Sequence, residues 1–220
     1  NNTDIISITE DELQNAIDEI MIGREKRERS MNDDEIMRVA HHEAGHAIMG
    51  YLLKGCSEPV KVSIVPRGEA ALGFSQQKSL DNKLLTEEMI LARIAVLLGG
   101  RTAEKIIFDN YSSGAYDDIE RLTKIAYNYS ASWGLNKHIG PVNIGVLDYY
   151  GENIKDVVFQ ETRNLILNIE KLTFKILKKY KRYIISIAKE LIKNETIDYI
   201  EIKRTLPNKA ENSETLTLAK

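Results

Sequence analysis

Three of the four histidines in this 220-residue chain fall within six residues, His41-His42-Glu43-Ala44-Gly45-His46. Inside that run lies His42-Glu43-x-x-His46, two imidazoles four positions apart with a carboxylate next to the first. On a helix, residues i and i+4 share one face a turn apart, so two such rings can grip one ion from the same side. Glu43 is rotated from His42 by about 100° and reaches the flank of that ion. It can therefore accept a proton from an attacking water without being a ligand. A zinc ion held this way brings the pKa of water to about 7 and polarises a scissile carbonyl, the chemistry of a metallopeptidase.

A catalytic zinc takes three protein ligands and keeps a fourth position open. No third histidine follows at the close spacing of the extended form of the motif, and His138 stands alone after a helix stop. The third ligand is expected to be a carboxylate. Two places qualify: Glu104, in Gly99-Gly100-Arg101-Thr102-Ala103-Glu104, and the pair Asp117 and Asp118, in Ser113-Gly114-Ala115-Tyr116-Asp117-Asp118. Spacing alone does not choose between them, since any one acid is as readily a helix cap or a surface charge. His41 lies outside the register of the pair and reads as structural or solvent-facing. Cys56 is the single cysteine, which excludes an intrachain disulfide and a thiolate zinc cage. It reads as a small packing residue.

These residues need rigid elements to hold them. Asn32 with Glu35 has the spacing of a capping box, and Ile36, Val39, Ala40, Ala47 and Ile48 follow the helical period, so the motif is expected on a helix ending near Leu53. Gly45 inside that helix costs about 1 kcal/mol against alanine, which predicts a close approach there. Val60 to Val65 alternates and is β-branched, Pro66-Arg67-Gly68 signals a turn, and Leu72 to Gln76 reads as a second strand. Helices are predicted from Thr86 to Gly99-Gly100, from Thr102 to Phe108, and from Asp117 to about Trp133, the last with Ile119, Leu122, Ile125 and Ala126 on one face. A long helical pattern runs from Asn153 to Asn194, bent or broken near Tyr180, with a buried stripe from Val158 through Leu165, Ile169, Leu172, Ile176, Ile184 and Ile187 to Leu191. Thr9 with Glu12 caps an earlier helix, and the charge-mixed run Arg24 to Arg29 reads as a linker. The fold class is mainly α, a helical zinc-peptidase domain with a small β element, a hairpin or short sheet, beside the active-site helix.

Apolar residues make up 43% of the chain, enough for a core, and the formal net charge of −3 gives no global basic field for nucleic acid. The cluster Lys178, Lys179, Lys181 and Arg182 reads as a solvated helix face. No stretch reaches the ~18 consecutive apolar residues of a spanning helix.

Several blocks, in order, resemble the FtsH-like membrane-bound AAA+ zinc metalloproteases. They are Val39 to Ala47, Lys61-Val62-Ser63-Ile64-Val65-Pro66-Arg67-Gly68, Ala71-Leu72-Gly73-Phe74, Leu98 to Glu104, Ser113 to Ile119, and Asn194-Glu195-Thr196-Ile197-Asp198. The resemblance covers residues 20 to 206. It implies that Asp118 is the third zinc ligand, that Glu43 is the catalytic base, and that Glu104 is a structural acid with contacts behind the ligands. It implies that Gly73, Phe74 and Ser75 border the cleft, where substrate adds as an extended strand. It further implies a homo-hexamer in which an ATPase ring feeds unfolded polypeptide to the peptidase for protein quality control. Residues 1–30 then correspond to the end of the ATPase module and a linker, 31–206 to the peptidase domain and 207–220 to a disordered tail. No phosphate-binding Gly-rich loop is present, so ATP and the membrane anchor are expected to belong to parts outside this chain. Lys105 and His41 depart from the family pattern without touching the zinc set. The Ala-Leu-Gly-Phe-Ser-Gln block and the Asp117-Asp118 pair look closer to mitochondrial members, which favours a mitochondrial inner membrane over a bacterial plasma membrane or a plastid.

Overall fold

The computed structural model describes residues 31–56, 59–66, 73–77, 84–147, 151 and 153–207, with a few positions between 9 and 20. The expected linker at 24–29, the turn at 67–68 and the tail from 208 onward lie outside the described residues. Among the described residues from 31 onward, six α-helices and one small sheet follow in order: α1 (Asp33–Leu52), β1 (Pro59–Ser63), β2 (Phe74–Gln77), α2 (Glu87–Phe108), α3 (Tyr116–Ala131), α4 (Asn153–Lys179), α5 (Lys181–Asn194), β3 (Thr196–Asp198) and α6 (Tyr199–Thr205). The architecture is mainly α with a small β element, as expected.

The helix α1 starts where its cap dictates. Asn32 Oδ1 accepts from Glu35 N at 2.9 Å, and Glu35 Oε2 accepts from Asn32 N at 3.0 Å, so two otherwise orphaned donors are satisfied. Asp33, Asp34 and Glu35 add negative charge where the helix dipole favours it. From Ala40 onward α1 is buried on every side, which makes it the central helix rather than an amphipathic one. It packs against α2 and α5, and α2 in turn packs against α3 and α4.

One expectation is corrected. The pair Gly99-Gly100 does not end a helix: α2 runs unbroken from Glu87 to Phe108. These glycines serve close packing instead. A Cβ on Gly45 would fall 2.3 Å from the Gly99 carbonyl oxygen, and a Cβ on Gly99 would fall 2.8 Å from the Gly45 carbonyl oxygen. The backbones of α1 and α2 therefore touch, which no larger residue permits, and the helix-propensity cost of about 1 kcal/mol per glycine is outweighed.

The pattern from Asn153 to Asn194 resolves into two helices with Tyr180 between them. All of its expected stripe is buried except Leu172, which is half-buried. On α3, Leu122 and Ala126 are buried, whereas Ile119, expected on the same face, is 37% exposed.

The sheet has the order β2-β1-β3. The first two strands pair antiparallel, with Val62 opposite Ser75 and Ser63 opposite Phe74. The third strand pairs antiparallel with β1, placing Ile197 opposite Val62. A left-handed residue, Glu195 at φ 60°, turns the chain from α5 into β3, and its carbonyl accepts from Ile64 N at 2.9 Å. No described helix is long and apolar enough to cross a membrane.

Candidate metal centre

His42 and His46 stand one turn apart on α1, and Asp118 arrives from the first turn of α3. His46 Nδ1 lies 2.7 Å from the Val96 carbonyl oxygen. A carbonyl can only accept, so Nδ1 carries the proton and Nε2 of the neutral ring is a bare acceptor. His42 Nδ1 lies 2.8 Å from Glu104 Oε1. Burial pushes the Glu104 carboxyl up, but hydrogen bonds from His42, Ser112 and Arg38 more than offset this and hold it below the usual carboxylate range. Glu104 is thus ionised and accepts, so Nε2 of His42 is also bare.

The two Nε2 atoms are 3.0 Å apart, and Asp118 Oδ2 lies 3.2 Å from the first and 3.1 Å from the second. With both rings neutral, three acceptors converge with no hydrogen of their own between them. Such a cluster repels itself unless a proton or a metal cation enters it. A tetrahedral ion with bonds of about 2.0–2.1 Å separates its ligand atoms by about 3.3 Å, close to the spacing found here. The two nitrogens and one carboxylate oxygen, with hydrogen-bonded partners behind both rings, fit zinc. The demand for positive charge also shows in the titration. Burial opposes charge on His42, yet Asp118 and Glu104 raise it to about 10, and Asp118 is held well below the usual carboxylate range by the two imidazoles despite its own burial.

The geometry separates the two acids that spacing left as alternatives. Glu104 sits behind the His42 ring, on Nδ1, and not among the converging acceptors. Its four acceptor positions are taken: Oε1 by His42 Nδ1 and by Ser112 Oγ at 3.0 Å, Oε2 by Ser112 N at 2.8 Å and by Arg38 Nη1 at 3.1 Å. No lone pair remains for an ion. Asp117 is exposed and outside the cluster. His41 is buried, bonds Met37 O through Nδ1 at 2.7 Å and meets Phe108 edge-on, a structural role rather than a solvent-facing one. His138 is exposed and pairs with Glu161. Cys56 packs against the core.

Glu43 follows His42 and is fully enclosed. Its Oε2 has no hydrogen-bond partner among the described residues, and burial pushes its carboxyl up despite the nearby imidazoles. The chain enters β2 directly over it: a Cβ on Gly73 would fall 2.9 Å from Glu43 Oε1. β2 is an edge strand, paired with β1 alone among the described residues, so Gly73, Phe74 and Ser75 lie at the rim beside Glu43.

Four contributors went unmarked in the sequence reading: Arg38, Ser112, the Val96 carbonyl and Gly100, whose Cα packs under the His42 ring. Arg38 stands one turn before His42, and Ser112 abuts the Ser113-Gly114 block, so spacing held a signal for both. A backbone carbonyl such as that of Val96 carries none.

A cavity of about 540 Å³ between α3 and α4, lined by Tyr127, Val158, Phe159 and Thr162 among others, shares no residue with this centre.

The sequence model of peptidase family M41 matches residues 29–205. A protein named ATP-dependent zinc metalloprotease FtsH from Rhodothermus marinus is 34% identical over 205 residues, covering 87% of this chain and 29% of the relative. A rice (Oryza sativa subsp. japonica) protein named ATP-dependent zinc metalloprotease FTSH 8, mitochondrial, is 32% identical over 206 residues, covering 90% and 25%. The FtsH of Methylococcus capsulatus is 45% identical over 135 residues, covering 61% and 21%. This chain thus spans less than a third of the length of each of these relatives. Because the match extends from before the cap of α1 to the end of α6 and takes in every converging acceptor, the chain belongs to peptidase family M41.

Proposed function

We propose that this chain is the zinc-dependent endopeptidase domain of an ATP-dependent, membrane-anchored protease that hydrolyses unfolded or membrane proteins. The observation that carries the reading is the convergence of three bare acceptors, His42 Nε2, His46 Nε2 and Asp118 Oδ2, beside a buried carboxylate with an unpartnered oxygen. His42, His46 and Asp118 hold the ion. When bound, zinc supplies Lewis acidity, polarising the scissile carbonyl and acidifying water.

This chain's residues do the rest. Glu43, made more basic by burial, accepts the proton of the attacking water at Oε2 and returns it to the leaving amine. Glu104 and the Val96 carbonyl fix the tautomers and orientations of the two rings. The edge formed by Gly73, Phe74 and Ser75 receives substrate backbone as an added strand, which selects extended chain with little regard to sequence.

Residues 31–206 form the peptidase domain in this reading, residues 1–30 the end of an ATPase module with its linker, and the whole assembles as a homo-hexamer on a membrane. That membrane is a mitochondrial inner membrane in this reading, ahead of a bacterial plasma membrane or a plastid; the rice relative carries 'mitochondrial' in its name. The test is Glu43→Gln in the full-length assembly. It is expected to retain zinc and to lose cleavage of unfolded casein, while a chelator silences the wild type. Full activity in that variant removes Glu43 from the mechanism.

A further inference from the structure

The Glu104 carboxylate is the hub of the centre, yet two of its four donors come from one residue, Ser112, in the loop before Asp118. The other two come from α1: His42 and, four residues earlier on the same face, Arg38. Arg38 is aimed by its surroundings. Its guanidinium lies over the ring of Phe108, 4.5 Å from the centroid, and the edge of His41 fixes that ring in turn at 5.3 Å. A planar guanidinium laid on an aromatic face keeps a defined direction for its N–H groups.

We infer that Arg38 is a positioning residue for the metal centre: by holding Glu104 Oε2 it fixes the carboxylate plane, and so the ring of His42 that Glu104 Oε1 orients. The inference rests on the zinc reading above. An ordinary surface ion pair contributes little, but this one is not ordinary, because the Arg38 side chain is 29% exposed while its partner is 1% exposed. Without Arg38, Oε2 keeps only the Ser112 amide, and the carboxylate gains freedom to rotate away from His42. Loss of a group behind a ligating histidine typically weakens metal binding about 10–100-fold.

The experiment is zinc titration of the 220-residue chain against a competing chromophoric chelator, for the wild type, Arg38→Met, Arg38→Gln and Arg38→Lys. Methionine keeps a stem on Phe108 and removes the donors; lysine restores one charged donor. Arg38→Met is expected to bind zinc about tenfold more weakly, and its metal-free melting temperature is expected to fall as well, because the buried Glu104 carboxylate loses a charged donor. Lysine is expected to recover part of the loss. Visible spectra of the cobalt-loaded forms should shift for methionine and return toward wild type for lysine. If methionine does not fold, glutamine carries the same comparison. Wild-type affinity in Arg38→Met, or in Arg38→Gln, overturns the inference alone. A wild-type chain that binds no zinc overturns the zinc reading and this inference with it.

Discussion

Gly100 has no room for any other residue. A Cβ there would lie 2.3 Å from His42 Nε2 and 2.5 Å from Cδ2 of the same ring, so alanine must push the ligand out of line. A buried ring anchored at Nδ1 by Glu104 cannot retreat without breaking that bond. Gly100→Ala is therefore expected to weaken zinc binding at least about tenfold and to cost about 1–3 kcal/mol of stability through overpacking, even though alanine is the better helix former. Zinc titration and denaturant melts read the two effects separately, and an alanine variant with wild-type affinity would show that the ring has slack. At this scale the sequence was legible in part. The His42-Glu43-x-x-His46 pattern announces itself because its partners are local. The choice between Glu104 and Asp118 did not follow from spacing, because both acids are dozens of residues from His42 and only the crossing of α1, α2 and α3 decides which one faces Nε2. Gly100 reads in sequence as a helix stop, and only the ring above it reveals its use.

Helices carry the centre, and the loops between them keep those helices in register. The segment after α3 is pinned to α4 by Glu161, which accepts from Asn136 Nδ2 at 2.9 Å and pairs with His138 Nδ1 at 3.0 Å. Asn136 in turn accepts from the backbone amides of His138 and Ile139. The hydrogen bond from Asn136, followed by that from His138, lowers the Glu161 carboxyl below its ordinary value. A depressed carboxyl stabilises the fold above the unfolded-state pKa, and the contribution disappears as pH falls through the lower folded value. Glu161→Gln is expected to cost about 1 kcal/mol or less near neutral pH, discounted because His138 is exposed to solvent, with the gap closing below about pH 4. Metal-free denaturation of both proteins across that range checks it, and a gap that stays constant with pH removes the charge from the account. Among the elements, the helices were readable from periodicity and caps, including the box at Asn32 and the break near Tyr180. The pairing of β3 with β1 was not, because Thr196-Ile197-Asp198 is too short to show a period and its partner lies far away in the chain.

On the scale of the whole molecule, the metal centre joins helices that do not otherwise lean on one another. α1 offers two of the converging acceptors and α3 the third; α1 packs chiefly against α2, and α3 against α4 and α2. An ion between them closes a triangle of helices that side-chain packing leaves open on one side, and it neutralises acceptors that would repel once brought together. Binding to the folded chain alone stabilises it by mass action, about 2.7 kcal/mol at a free metal concentration one hundred times the dissociation constant. For a chain of this size each kcal/mol corresponds to roughly 2–4 °C in melting temperature. Stripping zinc with a chelator is therefore expected to lower the wild-type melting temperature by roughly 5–10 °C, and readdition should restore it. Asp118→Ala removes the α3 ligand, so its melting temperature should hardly respond to either treatment. Its metal-free form should melt below metal-free wild type near neutral pH, because the buried His42 ring, which carries a proton when no ion is bound, loses its carboxylate partner. Equal melting of zinc-loaded and stripped wild type would mean that packing through α2 already holds α1 and α3 together, leaving the ion a chemical role and no structural one.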